Sequence, residues 1–441
     1  MTKQTGVTVL IGRIWRLVIV SSIAATVIIV LDAPLAAKIL DLTVPEEVGF
    51  SKTGLDGLES RFKSMVDGGR RAGIAWGVAR NGKLVAYDAY GYSSIENNLP
   101  MQTDTVFRLY SQTRAVTAAA ILTLVDEGKL SLDDPVSQYI PAFGDTPVIK
   151  AIVSDKIITE PQTPTMSVFH LFTYTSGLGY ARDWPDIVGI KQRDILGLDQ
   201  TTEEGITKLA SFPLLMQPGR RWYYGFSSDV LGHVAEVISG QPLNEFLEDR
   251  LLRPLGMNNT GFWIQNGDAD LLADVYGRGE EGTLINRTTT TPPSGPYTQR
   301  GTFFSAGGGL VSTVMDYLRF QQMLLDGGQL EGVRILKEET VKTMTTNQLT
   351  PDQMPLFWYD ARPSAVLKTY GWGLAVGIRP PGSHNTPGNV GEVRWGGLAN
   401  TTFFIDPKTG IIATAMSQYL GPDSDELVIN LAEGVYGALS N

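Results

Sequence analysis

Three short stretches hold the residue types that acyl transfer needs. The first, Phe107-Arg108-Leu109-Tyr110-Ser111-Gln112-Thr113-Arg114, opens an alanine- and leucine-rich segment with helical apolar spacing. Ser111 falls where the first N–H groups of a helix are unpaired and its dipole is positive, and Arg114, three residues on, shares its face. A serine at such a point suits a nucleophile, and it equally suits a helix N-cap. In the second, Pro218-Gly219-Arg220-Arg221-Trp222-Tyr223-Tyr224-Gly225-Phe226-Ser227-Ser228-Asp229, Tyr224 stands between a turn and a helix start. It reads as a proton carrier or as aromatic packing, with Ser227 or Ser228 as an ordinary cap. The third, Arg394-Trp395-Gly396-Gly397-Leu398, has paired glycines that admit a close backbone or ligand, or that form a simple bulge. Together the three supply a nucleophile, a proton carrier and backbone donors for an oxyanion.

The elements that must position them follow from periodicity. Leu55, Leu58, Phe62 and Met65 recur at helical spacing in residues 52–68. Residues 73–79 and 83–90 flank Asn81-Gly82, a hairpin loop whose positive backbone angles match strand twist. A buried helix is predicted over 113–127, stopped by Gly128. Residues 135–290 mix short helices with Pro- and Gly-rich loops, without the period-two alternation of a sheet, and read as a mainly helical lobe. Strands return at 371–378, 401–405 and 411–417, followed by an amphipathic helix over 426–439. Strands near both termini with helices between them imply that first and last segments pair, leaving a cleft at the seam.

The totals remove several classes of function. At 441 residues with 43% apolar content the chain is globular and long enough for two lobes. A net charge of −10 with no basic run in the body argues against nucleic acid. The absence of cysteine excludes thiol nucleophiles, disulfides and Cys-ligated zinc. With no His-Glu-x-x-His, no complete calcium loop around Asp268, Asp270 and Asp274, and no phosphate-loop context for Gly307-Gly308-Gly309, neither metal nor cofactor is expected. The three histidines, His170, His233 and His384, come with no Gly-x-Ser-x-Gly elbow and fit packing, capping and loop positions better than a triad. At the start, Lys3, Arg13 and Arg16 precede an apolar run over 17–31, as in a signal peptide or membrane anchor spanning residues 1–40. Export follows as an expectation: periplasmic, secreted or attached to the membrane by this segment.

From about residue 50 to 440 the chain resembles the serine β-lactamases of class C type, with the family VIII carboxylesterases and DD-peptidases. Besides the three stretches, the resemblance rests on residues 127–136 (Glu-Gly-Lys-Leu-Ser-Leu-Asp-Asp-Pro-Val), on 170–178 (His-Leu-Phe-Thr-Tyr-Thr-Ser-Gly-Leu), on Pro254-Leu255-Gly256-Met257 and on residues 307–313. It implies an α/β fold, an antiparallel sheet flanked by helices with an inserted mainly helical lobe. The sheet lobe is expected over about 46–110 and 300–440, and the helical lobe over about 111–299. It further implies that Ser111 matches the nucleophile of Ser-x-x-Lys and Tyr224 the tyrosine that relays the proton. Trp395-Gly396-Gly397 looks like the esterase-branch substitute for Lys-Thr-Gly, with the N–H groups of Ser111 and Leu398 as oxyanion donors. Phe226 stands where the family's Tyr-x-Asn has asparagine, a further lean toward esterases. The implied activity is hydrolysis of a small-molecule ester or amide through an acyl-Ser111 intermediate. Trp222, Tyr223, Phe226, Phe303 and Phe304 are candidate walls for the acyl group, and core packing is the competing reading of each.

Arg114 stands where the family has lysine. A guanidinium stays charged in proteins and cannot be the general base. Three outcomes remain open: Tyr224 takes the proton beside a fixed cation, Arg114 anchors a carboxylate in a catalytically weak or silent binding protein, or Arg114 turns away to pair with an acid. If only the base has been lost, Arg114→Lys should restore activity.

Overall fold

The computed structural model describes residues 40–265, 267–291, 297–356, 369–383 and 385–440; the basic leader and His384 lie outside them. The Asn81-Gly82 loop forms as expected, with φ of 50° and 76°. It joins strand β2 (Gly73–Arg80) to β3 (Lys83–Ser94), and a short β1 (Asp41–Leu42) lies parallel to β3. Further along the chain come β4 (Gly371–Trp372), β5 (Gly377–Ile378), β6 (Val393–Gly397), β7 (Thr401–Asp406) and β8 (Ile411–Met416). In space their order is β1-β3-β2-β8-β7-β6-β5-β4, with Leu99–Pro100 added beside β3. The first and last segments therefore pair: β2 runs antiparallel to β8, with Trp76 opposite Ala415 and Ala75 opposite Met416.

Alternation along β2 builds both layers. Ile74, Trp76 and Val78 point to one face, where helix α1 (Lys52–Asp67) and the C-terminal helix pack through Leu58, Phe62, Leu431 and Val435. The rings of Phe62 and Trp76 lie 5.0 Å apart. Removing each such side chain from water contributes about 1.5–3 kcal/mol. Ala75 and Ala79 point to the opposite face and join the larger core. That core surrounds α2 (Thr113–Asp126), buried on all sides from Thr113 to Leu124. A helix apolar all round has no solvent face and must be central. It stops at Gly128, whose φ of 70° is the left-handed conformation that glycine adopts without strain.

The other helices that matter to the site are α3 (Ser227–Ser239), α4 (Val314–Leu325) and α5 (Asp425–Gly437). Gln321 Nε2 on α4 donates to the carbonyls of Phe404 (2.8 Å) and Ala413 (3.1 Å), pinning that helix to β7 and β8.

The inserted lobe is mainly helical, as expected, and the fold departs from expectation in two details. The 135–290 region contains strands: a hairpin, Val148–Val153 with Lys156–Glu160, and a small sheet of Tyr276–Arg278, Leu284–Asn286 and Tyr419–Leu420. Its β-branched pairs around Ser154-Asp155 did carry a strand signal, diluted by the helical segments on either side. The strand expected over 371–378 is broken into β4 and β5 by a turn in which Ala375 has φ of 65°.

At the start of α4, Asp316 accepts from Asn259 N (2.8 Å) and Thr260 Oγ1 (2.9 Å), and burial pushes its pKa up to about 6. A carboxyl raised above its unfolded value of about 3.9 favours the folded state while protonated, and that contribution is lost as pH rises through the folded value. Relative to Asp316→Asn, the unfolding free energy of the parent chain is expected to fall by roughly 2 kcal/mol between about pH 4 and pH 7. Urea midpoints across this range test it; parallel pH profiles would contradict the shift.

Candidate active site

Ser111 lies in a turn of 3₁₀ helix, Tyr110–Gln112, that runs directly into α2. The cap positions are Leu109 and Gln112, neither with a side-chain cap bond, so Ser111 is not the N-cap that its position allowed. Tyr110 just before it has φ of 43°, a conformation unusual for a non-glycine residue. Ser111 is half-buried on the wall of a cavity of about 2050 Å³. Among the described residues its hydroxyl has no hydrogen-bond partner.

One helical turn on, Arg114 is fully buried and points to a cage of phenols. Its Nε donates to Tyr224 Oη at 2.8 Å, Nη1 to Tyr174 Oη and Nη2 to Tyr180 Oη. Desolvation on its own would lower the guanidinium pKa, but Tyr174, Tyr180, Tyr224 and Asp229 outweigh it and hold the group well above its ordinary value. Burial raises the pKa of both Tyr174 and Tyr180, so these two phenols are neutral hydrogen-bond acceptors at physiological pH and not anions. The formal counter-charge comes from Asp229 on α3. It accepts from Ser305 Oγ (2.6 Å) and Gly307 N (3.1 Å), and burial raises its pKa against the pull of Arg114. A Cβ at Gly307 would lie 2.7 Å from Asp229 Oδ2 and 3.1 Å from Arg114 Nη1, which is why that glycine is needed.

Tyr224 ties the stretches together. Its ring clusters with those of Trp222 and Tyr174, with centroids 5.6 and 5.5 Å away and those two 6.0 Å from each other. Its Oη accepts from Arg114 Nε and, at 3.3 Å, from Trp395 Nε1 on β6. Strand β6 also closes on the Ser111 turn: a Cβ at Gly397 would meet Leu109 O at 2.1 Å. Ser111, Tyr224, Trp395, Gly396, Gly397 and Leu398 thus line one cavity, with Leu398 exposed in the turn after β6. Gly397→Ala is expected to push this strand off the Ser111 turn, lowering the thermal midpoint and reducing kcat about tenfold or more. Unchanged kcat would show that the close approach has no catalytic consequence.

Other expected residues fall elsewhere. Tyr223 and Phe226 are packed in the interior rather than on the cavity wall, as are Trp222, Phe303 and Phe304. Phe304, for example, packs on Phe262 at 5.0 Å. Ser227 and Ser228 do not cap α3; they bond to Ser176 Oγ (2.9 Å) and Tyr174 Oη (2.6 Å). His170 Nδ1 accepts from Ser167 N at 3.1 Å in a local capping turn, and His233 pairs with Glu236 along α3. Asp274 is not simply solvated, since it accepts from Ser94 and Thr288 hydroxyls. No group of three metal-ligating side chains occurs among the described residues. Tyr174, Tyr180, Asp229, Ser305 and Gly307 were not singled out from the sequence as site residues, although Tyr174, Asp229 and Gly307 fall within stretches that carry the family resemblance.

A sheet flanked by helices, with a serine at the start of a buried helix facing a glycine-rich strand edge, is a β-lactamase-like architecture, and the comparisons agree. The family model described as Beta-lactamase matches residues 58–436, and the chain belongs to that family. It is 34% identical to Protein Rv1367c of Mycobacterium tuberculosis, over 87% of this chain and 94% of that protein. It is 29% identical to Esterase EstB of Burkholderia gladioli, over 86% and 94% of the two chains. Among solved structures, EstCE1, "a hydrolase with promiscuous acyltransferase activity", superposes with a TM-score of 0.72 at 25% identity, over 87% of this chain and 99% of that one.

Proposed function

We propose that this protein is a serine hydrolase that cleaves a small-molecule ester or amide through an acyl-Ser111 intermediate, esterase-like rather than penicillin-hydrolysing. The observation that carries the proposal is the pair of donors, Arg114 Nε and Trp395 Nε1, aimed at Tyr224 Oη. Both bonds strengthen as that oxygen takes on negative charge, which supports a reading in which Tyr224 enters the reaction as the phenolate. Tyr224 then accepts the Ser111 proton as Oγ attacks the acyl carbon. The N–H groups of Ser111 and Leu398 receive the oxyanion, and Tyr224 returns the proton to the departing alkoxide or amine. Water repeats the sequence on the acyl-enzyme. No metal or cofactor enters any step. Arg114 serves as the fixed cation, since its three nitrogens already face phenols and offer no free edge to a substrate carboxylate. The esterase and acyltransferase names among the relatives support the same reading. Export, with residues 1–40 as a signal peptide or anchor, belongs to this proposal.

A second reading, a catalytically silent binding protein using the same cavity, is favoured by the unpartnered Ser111 hydroxyl. Catalytic hydrogen bonds are often long until substrate closes them, which keeps the hydrolase reading ahead. A fluorophosphonate probe followed by peptide mapping separates the two. Labelling at Ser111 supports the hydrolase; no label on Ser111, together with no turnover of short p-nitrophenyl esters, establishes the silent binder.

A further inference from the structure

The turn that joins β6 to β7 carries Leu398, whose N–H is one of the two oxyanion donors in the hydrolase reading. Leu398, Ala399 and Asn400 lie between the paired residues Gly397 and Thr401. Asn400 N donates to Gly397 O at 3.1 Å, and Asn400 has φ of 67°, the left-handed ending of a common three-residue hairpin loop. Asparagine tolerates that conformation, which alone would account for its presence. Its side chain does more. Asn400 is 4% exposed, although Leu398, two residues before it, is 60% exposed. The amide oxygen accepts from Arg71 Nε at 2.7 Å, and the amide nitrogen donates to Ser424 O at 2.8 Å, just before α5.

Arg71 is the fixed point of this arrangement. It stands two residues before β2 and is fully buried. Nη2 donates to Asp423 O at 2.8 Å and Nη1 to Arg70 O at 2.6 Å, so all three guanidinium nitrogens have partners and the planar fork is held in one orientation. The guanidinium lies over the Tyr419 ring, 4.0 Å from its centroid, and the Asp423 carboxylate, 3.6 Å from Nη1, supplies the counter-charge. Backbone bonds tie the turn to the same segment: Tyr419 N donates to Ala399 O at 2.9 Å and Ser417 N to Asn400 O at 3.1 Å. Three parts of the chain that are distant in sequence thus meet in one buried polar knot, two residues from the oxyanion donor.

We propose that Asn400 and Arg71 are positioning residues for the reaction at Ser111: Arg71 holds the Asn400 amide, and that amide fixes the turn so that the Leu398 N–H stays aimed at the oxyanion. The proposal rests on the hydrolase reading, and neither residue touches substrate in it. An oxyanion donor lowers the barrier only if its direction is set before charge develops. A surface turn holds such a direction when buried side chains lock it from behind, and an amide bonded on both sides to fixed partners is such a lock. A knot that served stability alone predicts lower melting temperatures with kcat preserved.

Asn400→Gly keeps the left-handed backbone without strain and removes only the side chain. With p-nitrophenyl acetate, kcat should fall about ten- to a hundredfold while KM stays within about threefold, since ground-state binding makes little use of the oxyanion donor. The rate of fluorophosphonate labelling at Ser111 should fall with kcat. Asn400→Asp also tolerates the left-handed backbone and keeps an acceptor for Arg71, so it should recover several-fold of the loss. Arg71→Lys keeps the charge without the fork; it should lower kcat in the parent chain and cause no further loss in the Asn400→Gly background, because it acts through that side chain. Should the glycine variant fail to fold, the aspartate and lysine variants decide by the same separation of kcat from KM. A glycine variant with kcat within about twofold of the parent would overturn the proposal. So would a rise in KM in place of the fall in kcat, equal losses for glycine and aspartate, or additive losses in the double variant. An inert parent chain, unlabelled at Ser111, would overturn the hydrolase reading and this proposal together; an active parent with an equally active glycine variant would overturn this proposal alone.

Discussion

Ser111→Ala is expected to reduce kcat toward p-nitrophenyl esters by about a thousandfold or more, because removing a nucleophile abolishes the covalent route and leaves only binding and oxyanion stabilisation. The substitution should leave the fold intact. Ser111 is half-buried and its hydroxyl bonds to no described residue, so the thermal midpoint should move little. Steady-state kinetics beside a melting curve decide the matter. Retention of most of the activity in the alanine variant would place the nucleophile elsewhere and remove the basis of the mechanism.

Arg114→Lys carries the second large effect, and the phenol cage argues for a loss of activity where the sequence reading offered a gain on condition that only a base had been lost. A lysine there would be a titratable amine of the family type, and gain of activity would follow if the arginine were only a lost base. The guanidinium instead uses three nitrogens spread over a plane on three different phenols, an arrangement that a single tetrahedral ammonium cannot reproduce. At least one of the buried Tyr174 and Tyr180 hydroxyls would lose its donor, at a cost of about 1–3 kcal/mol. Tyr224 would lose the fixed cation against which its oxygen develops charge. A fall in kcat of about a hundredfold is expected, with a lower denaturation midpoint. A more active lysine variant would show that the phenol cage is incidental and that the site wants an amine base.

The parts of the site that were legible in the sequence stand at punctuation points of the chain. Ser111 precedes a helix, Tyr224 follows a Pro-Gly turn, and Gly396-Gly397 ends a strand, so local chemistry marks each one. The phenol cage was not legible, because it exists only where three segments converge. Tyr174 comes from the loop after a five-residue helix, Tyr180 from the turn beyond it and Asp229 from the first turn of α3. No spacing rule relates them to Arg114, and an aromatic residue beside a turn looks alike whether it faces a cavity or the core. That ambiguity also misplaced Tyr223 and Phe226, which are interior. The sheet was easier. Ile74, Trp76 and Val78 alternate with alanines and glycine along β2, a pattern that only a strand buried on both faces satisfies.

The pairing of β2 with β8 has a consequence for how the molecule comes into being. β2 (Gly73–Arg80) and β8 (Ile411–Met416) are neighbours in the sheet yet far apart in sequence, and their contact closes a loop that contains most of the other elements. Such a contact contributes late and slowly, since chain-closure entropy is spent before any of its hydrogen bonds form. During synthesis the hairpin of β2 and β3 must wait, with one long edge open, until the residues of β8 have been made, so the sheet is the last part of the molecule to gain its full complement of backbone bonds.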